Sequence, residues 1–473
     1  SIPGGTFQIT VANVSQRVIL ALFYVIMTKT NALSKDDIGT LAMLAFIAST
    51  FTLLTVLALP TALTKFTSEK LGKNQKGEAT AIQKTVTKAV VILSVGGFAV
   101  AALSSPLISQ YLLENPEYVF VVILNLVYAF LSNILALVRS TLQALYLFGK
   151  MATLTIAFVV SGRAVAIALA LLDMGVTGVI IGYIVGSVIA IMLAVYFLRG
   201  KLPKTTKNMP LKPLLHFSFP LFLSSITGLV LTWADFVIIA SFIGLSPTGV
   251  YYIVISSVGT LSILYLPMTT TIFPALSAHH GLEKPKTVSK IVSTTSRYII
   301  YILFPSCVGL AIIAPTALTF FYGVDYAIGA TPMAVISFAT IIMAIYSLFT
   351  TTLTATGKTG QILKINTLAA VSTILLLVAL VPFLEATGAA LARLITQIIA
   401  LGLAVFALAK EIKIQLDKEA LWKSALASAA TVPPLLALEL IIGTRLTITQ
   451  TLVIELLTAV AIYIFVLYIL KAL

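Results

Sequence analysis

Charged residues are scarce in this sequence, and acidic residues are the scarcest of them. Only 10% of its 473 residues are charged, and 16 Asp and Glu stand against 30 Lys and Arg, whereas soluble proteins carry about 25% charged residues. Hydrophobic residues make up 59% of the chain, and its mean hydropathy is +1.08. This composition excludes an ordinary soluble domain and predicts a polytopic membrane protein. The single cysteine, Cys307, excludes an internal disulfide.

The sequence also lacks the motifs that would indicate catalysis. The segment TATGKTG at 354–360 has Thr352 where a nucleotide-binding P-loop needs its first glycine, so it is interpreted as a tight turn. His279 and His280 are expected in a loop without further metal ligands, and no paired carboxylates or activated nucleophile are evident. We therefore predict a protein that is not an enzyme and that requires neither a cofactor nor a metal.

Long apolar runs follow one another along the whole chain. A helix needs about 20 apolar residues to cross a hydrocarbon core of about 30 Å. Runs of this kind predict an all-α protein with about fourteen transmembrane helices. The predicted spans are 6–30, 38–64, 88–111, 117–143, 151–172, 176–198, 214–243, 248–273, 295–321, 329–355, 361–382, 387–409, 421–443 and 447–470.

Basic residues are concentrated in alternate loops. The loops after the even-numbered spans hold 22 of the 30 Lys and Arg, and the opposite loops hold mainly acids. By the positive-inside rule, the basic loops and both termini are predicted to face the cytoplasm, in a multi-pass protein of the plasma (cytoplasmic) membrane. The excess of positive charge is thus a signal of topology, and nucleic acid is not an expected partner.

The chain repeats itself at an offset of 210 residues. LAVYFL at 193–198 returns as LAVFAL at 403–408, and Gly178 has its counterpart in Gly388. Because six spans per copy is an even number, the two copies are predicted to be parallel, pseudo-symmetric six-helix lobes. The expected organisation is an N-lobe at 1–200 with spans 1–6, a C-lobe at 201–412 with spans 7–12, and two appended helices, spans 13 and 14, at 413–473.

A few charged residues interrupt the apolar spans. Arg163 lies near the centre of TLTIAFVVSGRAVAIALALL (153–172), and Arg17, Asp235 and Arg393 are the other deep charges. A charge at mid-membrane costs about 2.5 to 3.5 kcal/mol on insertion scales, so such residues usually face a protein interior or a wet cavity. Three deep arginines against one aspartate leave a positive surplus, which suits an anionic ligand.

Polar residues also recur at helical spacing, which places them along one face of a span. The candidate substrate-binding residues are Arg17, Arg163, Arg393, Asp235, Asn13, Tyr24 and Arg139. The alternative for each residue is a hydrogen bond or ion pair that holds the bundle together. Asp235 in particular is predicted to pair with Arg17 or Arg393, because an unpaired buried carboxylate is costly.

Three stretches resemble a known family. NALSKDDIGTLAML, LALPTALTKFTSEKLGKNQKGEA and LLHFSFPLFLSSITGLVLTWADFVIIASFIGLSPTGVYYI are similar to the polysaccharide biosynthesis (Wzx-type) oligosaccharide flippases of the multidrug/oligosaccharidyl-lipid/polysaccharide exporter (MOP) superfamily. The resemblance covers nearly the whole chain. It implies two lobes around a central cavity and alternating access. Arg17 stands where the related lipid II flippases also carry an arginine, and Trp233-Ala234-Asp235 fits the family's Trp-x-Asp pattern.

The resemblance implies that the substrate is a polyprenyl- or dolichyl-diphosphate-linked oligosaccharide, moved from the cytoplasmic to the outer leaflet. Arg163 would bind phosphate, since the planar fork of donors on arginine suits phosphate oxygens. Membrane lipids and glycan-assembly enzymes are the other expected partners. Two alternatives stay open: a multidrug or cation antiporter of the same superfamily, and a non-transporting scaffold for a glycan-assembly complex.

The topology can be tested with reporter fusions. A reporter fused after Lys207 is expected to be cytoplasmic, and one fused after Asp173 is expected to be external, because the basic loops stay inside. Reporter activity in whole cells distinguishes the two. The reverse pattern would overturn the predicted outward direction of transport.

Overall fold

The computed structural model describes residues 2–203, 205, 209–281, 285–410, 417–442 and 447–470, and within these ranges it consists of helices and turns without strands. The all-α fold is thus as predicted. The helices up to residue 242 are α1 (Ile2–Lys29), α2 (Lys35–Val56), α3 (Leu59–Gly72), α4 (Lys76–Leu103), α5 (Ser105–Leu112), α6 (Val119–Ala144), α7 (Phe148–Leu169), α8 (Gly175–Leu198) and α9 (Leu211–Phe242).

The remaining helices follow the same pattern of long apolar elements joined by short turns. They are α10 (Leu245–Gly259), α11 (Ser262–Gly281), α12 (Pro285–Ile312), α13 (Ala314–Tyr322), α14 (Ala330–Ala355), α15 (Thr359–Ala409), α16 (Lys418–Ala429), α17 (Val432–Ile442) and α18 (Ile448–Ile469).

Eleven helical segments in the described part are long and apolar enough to cross a membrane, or twelve when the bent pair α10 and α11 counts as one span. The sequence predicts about fourteen, and the difference has a physical reason. Two of the segments, Phe148–Leu198 and Thr359–Ala409, are 51 residues long, which at about 1.5 Å per residue is more than twice the hydrocarbon thickness. Each contains a break in helical geometry, at Asp173 and at Glu385, and each holds two of the predicted spans.

One residue at each break has the same backbone conformation. Gly175 has φ 48° and ψ −134°, and Glu385, 210 residues later, has φ 50° and ψ −134°. The offset seen in the sequence therefore has a counterpart in the backbone of the two breaks. Glycine adopts this region readily, whereas a residue with a Cβ is strained there.

The described chain forms two compact units, Ser1–Trp233 and Ala234–Leu473. In the first unit, α7 packs along α8 and α1, and α6 packs against α8. In the second unit, α14 packs against α15 and α12, while α16 and α18 pack against α12 and α13 respectively. The lobe boundaries at 200/201 and 412/413 remain predictions.

The helices on the side of the basic loops extend beyond the predicted spans. Lys76 and Lys84, which lie between the predicted spans 38–64 and 88–111, are part of α4. In the second unit, Asp417 caps α16, and its Oδ2 accepts a hydrogen bond from Arg297 Nε at 2.5 Å. The N–H of Ala420 and the Arg297 guanidinium lower the pKa of the Asp417 carboxyl below its usual value.

The strained backbone at Glu385 gives a stability prediction. Glu385→Gly is expected to raise the melting temperature in detergent, because it relieves a strained backbone that costs about 1 kcal/mol or more. Gly175→Ala, the matched substitution 210 residues earlier, is expected to lower it. A lower melting temperature for Glu385→Gly would show that the glutamate side chain stabilises the turn.

Candidate anion-binding site

Arg163 on α7 lies between two aromatic rings. The centre of its guanidinium is 4.4 Å from the ring centroid of Phe23 on α1 and 4.4 Å from that of Tyr183 on α8. Its Nη1 donates a hydrogen bond to the hydroxyl of Tyr183. A cation over an aromatic face is attracted by the ring quadrupole, by about 2 kcal/mol or more where water is excluded. The two rings therefore stabilise the charge of Arg163.

The two rings extend into a larger aromatic group. Tyr128 on α6 packs against Tyr183 with their centroids 5.5 Å apart, and Tyr24 packs against Phe23 at 5.1 Å. Phe23 and Tyr24 are buried, while Tyr128 and Tyr183 are half-buried. We refer to Phe23, Tyr24, Tyr128, Arg163 and Tyr183 as the Arg163 cluster. It joins α1, α6, α7 and α8 in the first unit.

Glycines bring α7 and α8 close enough for this contact. A Cβ added at Gly182 would lie 2.5 Å from the backbone nitrogen of Ala166 and 2.6 Å from the carbonyl oxygen of Gly162. Neither atom can move without displacing a helix. The small residues thus set the separation of the two helices, and Tyr183, next to Gly182, reaches Arg163 across it.

The other predicted residues of the first unit lie on α1 and α6. Arg17 is half-buried and Asn13 is exposed, each on α1, and Tyr24 belongs to the Arg163 cluster. Arg139 on α6 is half-buried, with its guanidinium centre 5.8 Å from the ring centroid of Phe158 on α7. Its Nε is buried and has no hydrogen-bond partner among the described residues.

In the described part of the first unit, acids are absent from the interior of the membrane spans. Its seven acids lie in the first turns of helices, in connecting turns or in the short helix α3: Asp36, Asp37, Glu69, Glu78, Glu114, Glu117 and Asp173. Arg17, Arg139 and Arg163 all lie within spans. The described spans of this unit thus hold three arginines, and their acids lie only near the span ends.

In the second unit, the deep arginine Arg393 pairs with the carboxylate of Asp235. Asp235 on α9 is 3% exposed, and its Oδ2 accepts hydrogen bonds from Arg393 Nε at 3.1 Å, from Arg393 Nη2 and from the Tyr251 hydroxyl at 3.1 Å. Its Oδ1 accepts the N–H of Phe236 at 3.0 Å. The predicted pairing of Asp235 with an arginine is confirmed, and the partner is Arg393. These two are the predicted site residues that lie in the second unit.

Several residues of these contacts were not predicted. Phe23, Tyr183, Tyr128 and Tyr251 carry no periodic signal in a chain with 25 Phe and 17 Tyr. The predicted set of deep charges also omits Glu455, which is 3% exposed within α18. The surrounding span is so apolar that one carboxylate barely changes its mean hydropathy. No cluster of three or more potential metal ligands occurs in the ranges that the structure describes.

The helical bundle with buried charges defines a class of integral membrane protein. Its fold matches that of the lipid II flippase MurJ in an inward closed conformation, with a TM-score of 0.81 at 16% identity over 98% of each chain. It also matches an inward-facing multidrug resistance MATE family transporter of the MOP superfamily, with a TM-score of 0.67 at 13% identity over 83% of this chain and 95% of that one. The chain thus has the fold of MOP-superfamily transporters.

A sequence-family comparison identifies the family. The family model described as polysaccharide biosynthesis protein matches residues 31–328, which is more than half of the chain. The protein therefore belongs to the polysaccharide biosynthesis protein family, as its resemblance predicted. No curated protein sequence gives a significant match. A third structural match is the MATE multidrug transporter DinF-BH, with a TM-score of 0.66 at 16% identity over 87% of this chain and 96% of that one.

The buried ion pair gives a stability prediction. Arg393→Met is expected to cost roughly 3 to 5 kcal/mol, because it leaves the Asp235 carboxylate buried without a cation. The double variant Asp235→Leu/Arg393→Met removes both charges and is expected to recover most of the loss. Melting temperatures in one detergent test this order. An Arg393→Met variant as stable as the wild type would show that the pair contributes little.

Proposed function

We propose that the protein is a flippase that moves a lipid-diphosphate-linked oligosaccharide from the cytoplasmic to the outer leaflet by alternating access. The diphosphate binds in the first unit, at Arg163 together with Arg17. The observation that supports the proposal is the placement of three arginines in this unit within described spans that hold no acid except at their ends. The family assignment and the flippase fold support the same substrate class.

Arg163 is suited to binding phosphate through its geometry. The contacts with Phe23 and Tyr183 restrain the guanidinium before the ligand arrives. A pre-ordered donor fork loses less conformational entropy on binding than a mobile one. An apolar surrounding also strengthens its attraction for a diphosphate, since the effective dielectric constant is low.

A cation antiporter is disfavoured by the same charges. A cavity lined by arginines repels a cationic drug. The buried aspartate of the second unit does not offer an open carboxylate, because Asp235 already accepts hydrogen bonds from Arg393 and Tyr251. A scaffold that does not transport would show no flipping in proteoliposomes.

The membrane potential favours outward movement of the headgroup. Moving one negative charge out of a cell whose interior is negative by about 100 mV releases about 2.3 kcal/mol, so two charges release about 4 to 5 kcal/mol. The sequence carries no nucleotide-hydrolysis motif. The potential, together with consumption of the product outside, therefore supplies the driving force.

Substitution of Arg163 tests the proposal. Arg163→Ala is expected to weaken the binding of farnesyl diphosphate roughly 10- to 100-fold, the equivalent of hydrogen bonds to a charged group. Arg163→Lys is expected to lie between Arg163→Ala and the wild type, because it keeps the charge and loses the planar fork. Binding is measured on purified protein by calorimetry, and flipping is measured in proteoliposomes.

The control is Lys150→Ala on the same helix. Lys150 also lies over a ring, 5.1 Å from the centroid of Phe197, and its removal is expected to leave the affinity unchanged. The melting temperature of each variant is recorded alongside. Unchanged affinity in a folded Arg163→Ala protein would refute the phosphate role, and a large loss of stability would assign Arg163 to the architecture of the bundle.

A further inference from the structure

Arg139 is an unusual arginine for a membrane span. Its Nε is buried without a hydrogen-bond partner among the described residues, and its guanidinium lies 5.8 Å from the ring centroid of Phe158. Buried polar groups are nearly always hydrogen-bonded, so one that is not requires an explanation. Arg393, by contrast, is bound through two nitrogens to Asp235. The unpaired Nε leaves Arg139 with a donor that a ligand can use.

Arg139 lies on the face of α6 that adjoins the Arg163 cluster. It follows Tyr128 by 11 residues, close to three full turns of a helix, so the two side chains share a face. Ser132 lies between them on the same face and is half-buried. Since Tyr128 packs against Tyr183, this face of α6 leads directly to Arg163.

The two arginines lie at different depths. Leu142 of α6, Leu154 of α7 and Ala194 of α8 belong to one fully buried cluster near the basic-loop ends of these helices. Arg139 is three residues from Leu142, whereas Arg163 is nine residues from Leu154. At about 1.5 Å per residue, Arg163 is about 9 Å deeper than Arg139. Phe158, which contacts Arg139, precedes Arg163 by five residues and gives a similar difference of about 7.5 Å.

A headgroup that enters from the basic-loop ends of these helices therefore reaches the backbone level of Arg139 before that of Arg163. We propose that Arg139 is the first intramembrane contact of the diphosphate, which then passes along the face of α6 to Arg163. This proposal rests on the proposed function and adds a path to it. Arg139 lowers the barrier to reaching the site, whereas Arg163 holds the bound ligand.

A transit contact has a distinct kinetic signature. Because it stabilises the ligand on its way in and on its way out, its removal slows association and dissociation together. Arg139→Ala is expected to lower both rate constants for farnesyl diphosphate roughly 10-fold, the low end of electrostatic rate effects. The dissociation constant is expected to change less than about threefold, since the bound state is held by Arg163. Arg139→Lys keeps the charge and is expected to stay near the wild-type rates.

The rates are measured by surface plasmon resonance on protein in nanodiscs, with farnesyl diphosphate and inorganic pyrophosphate as separate analytes. A tenfold effect with both probes means that Arg139 recognises the diphosphate itself, and an effect with farnesyl diphosphate alone means that it recognises only the lipid-linked form. Lys410→Ala is the matched control, because Lys410 also lies over a ring, 4.3 Å from the centroid of Phe406 on α15. Its rates are expected to equal those of the wild type.

The failures of the two proposals are distinguishable. If Arg163→Ala binds as tightly as the wild type, the proposed function fails. If Arg163→Ala loses affinity and Arg139→Ala leaves the association rate unchanged, only the path through Arg139 fails. A loss of affinity in Arg139→Ala as large as in Arg163→Ala would place Arg139 in the bound site and overturn the transit role. Arg139→Met, which keeps the apolar contact with Phe158, replaces the alanine variant if that one is unstable, and loss of fold in both would make Arg139 architectural.

Discussion

A guanidinium in a membrane span must exchange its water for other partners, and the protein supplies those partners in two ways. In the second unit a carboxylate balances Arg393, and the Tyr251 hydroxyl and the Phe236 N–H complete the hydrogen bonds of Asp235. In the first unit, two aromatic rings and a hydroxyl surround Arg163. Rings stabilise a cation without cancelling its charge. An arginine held by rings therefore still attracts an anion, whereas one held by an aspartate does so far less.

The backbone contact between α7 and α8 makes the ring arrangement possible. Lipid gives no hydrophobic force that pulls two helices together, so close approach depends on small residues and on polar contacts across the interface. Gly162 and Gly182 provide the first, because any Cβ at position 182 would meet backbone atoms. The bond from Arg163 to Tyr183 provides the second. The close approach that the glycines allow thus stabilises the charge of Arg163, because it places the Tyr183 ring against the guanidinium.

The sequence predicts most of the fold, because hydropathy decides where a chain crosses a membrane. It also predicts the pairing of Asp235, since a buried carboxylate requires a cation, but it leaves Arg17 and Arg393 as equal candidates. The rings around Arg163 are not predictable in the same way. Phe23 and Tyr183 are ordinary residues of apolar spans, and their role depends on the rotation and separation of three helices. Glu455 is hidden for a related reason, because one acid does not lower the hydropathy of α18 enough to stand out.

The two halves of the internal repeat differ in how they hold a deep arginine. Tyr183 and Arg393 are 210 residues apart, which is also the offset between Gly175 and Glu385 with their matching backbone angles. The same position of the repeat therefore holds Tyr183, which accepts a hydrogen bond from Arg163, in the first half. In the second half it holds Arg393. The partner of Tyr183 is the cation Arg163, and the partner of Arg393 is the carboxylate of Asp235. At this position the first half therefore places an uncharged tyrosine beside Arg163, whereas the second half places Arg393 beside the carboxylate of Asp235.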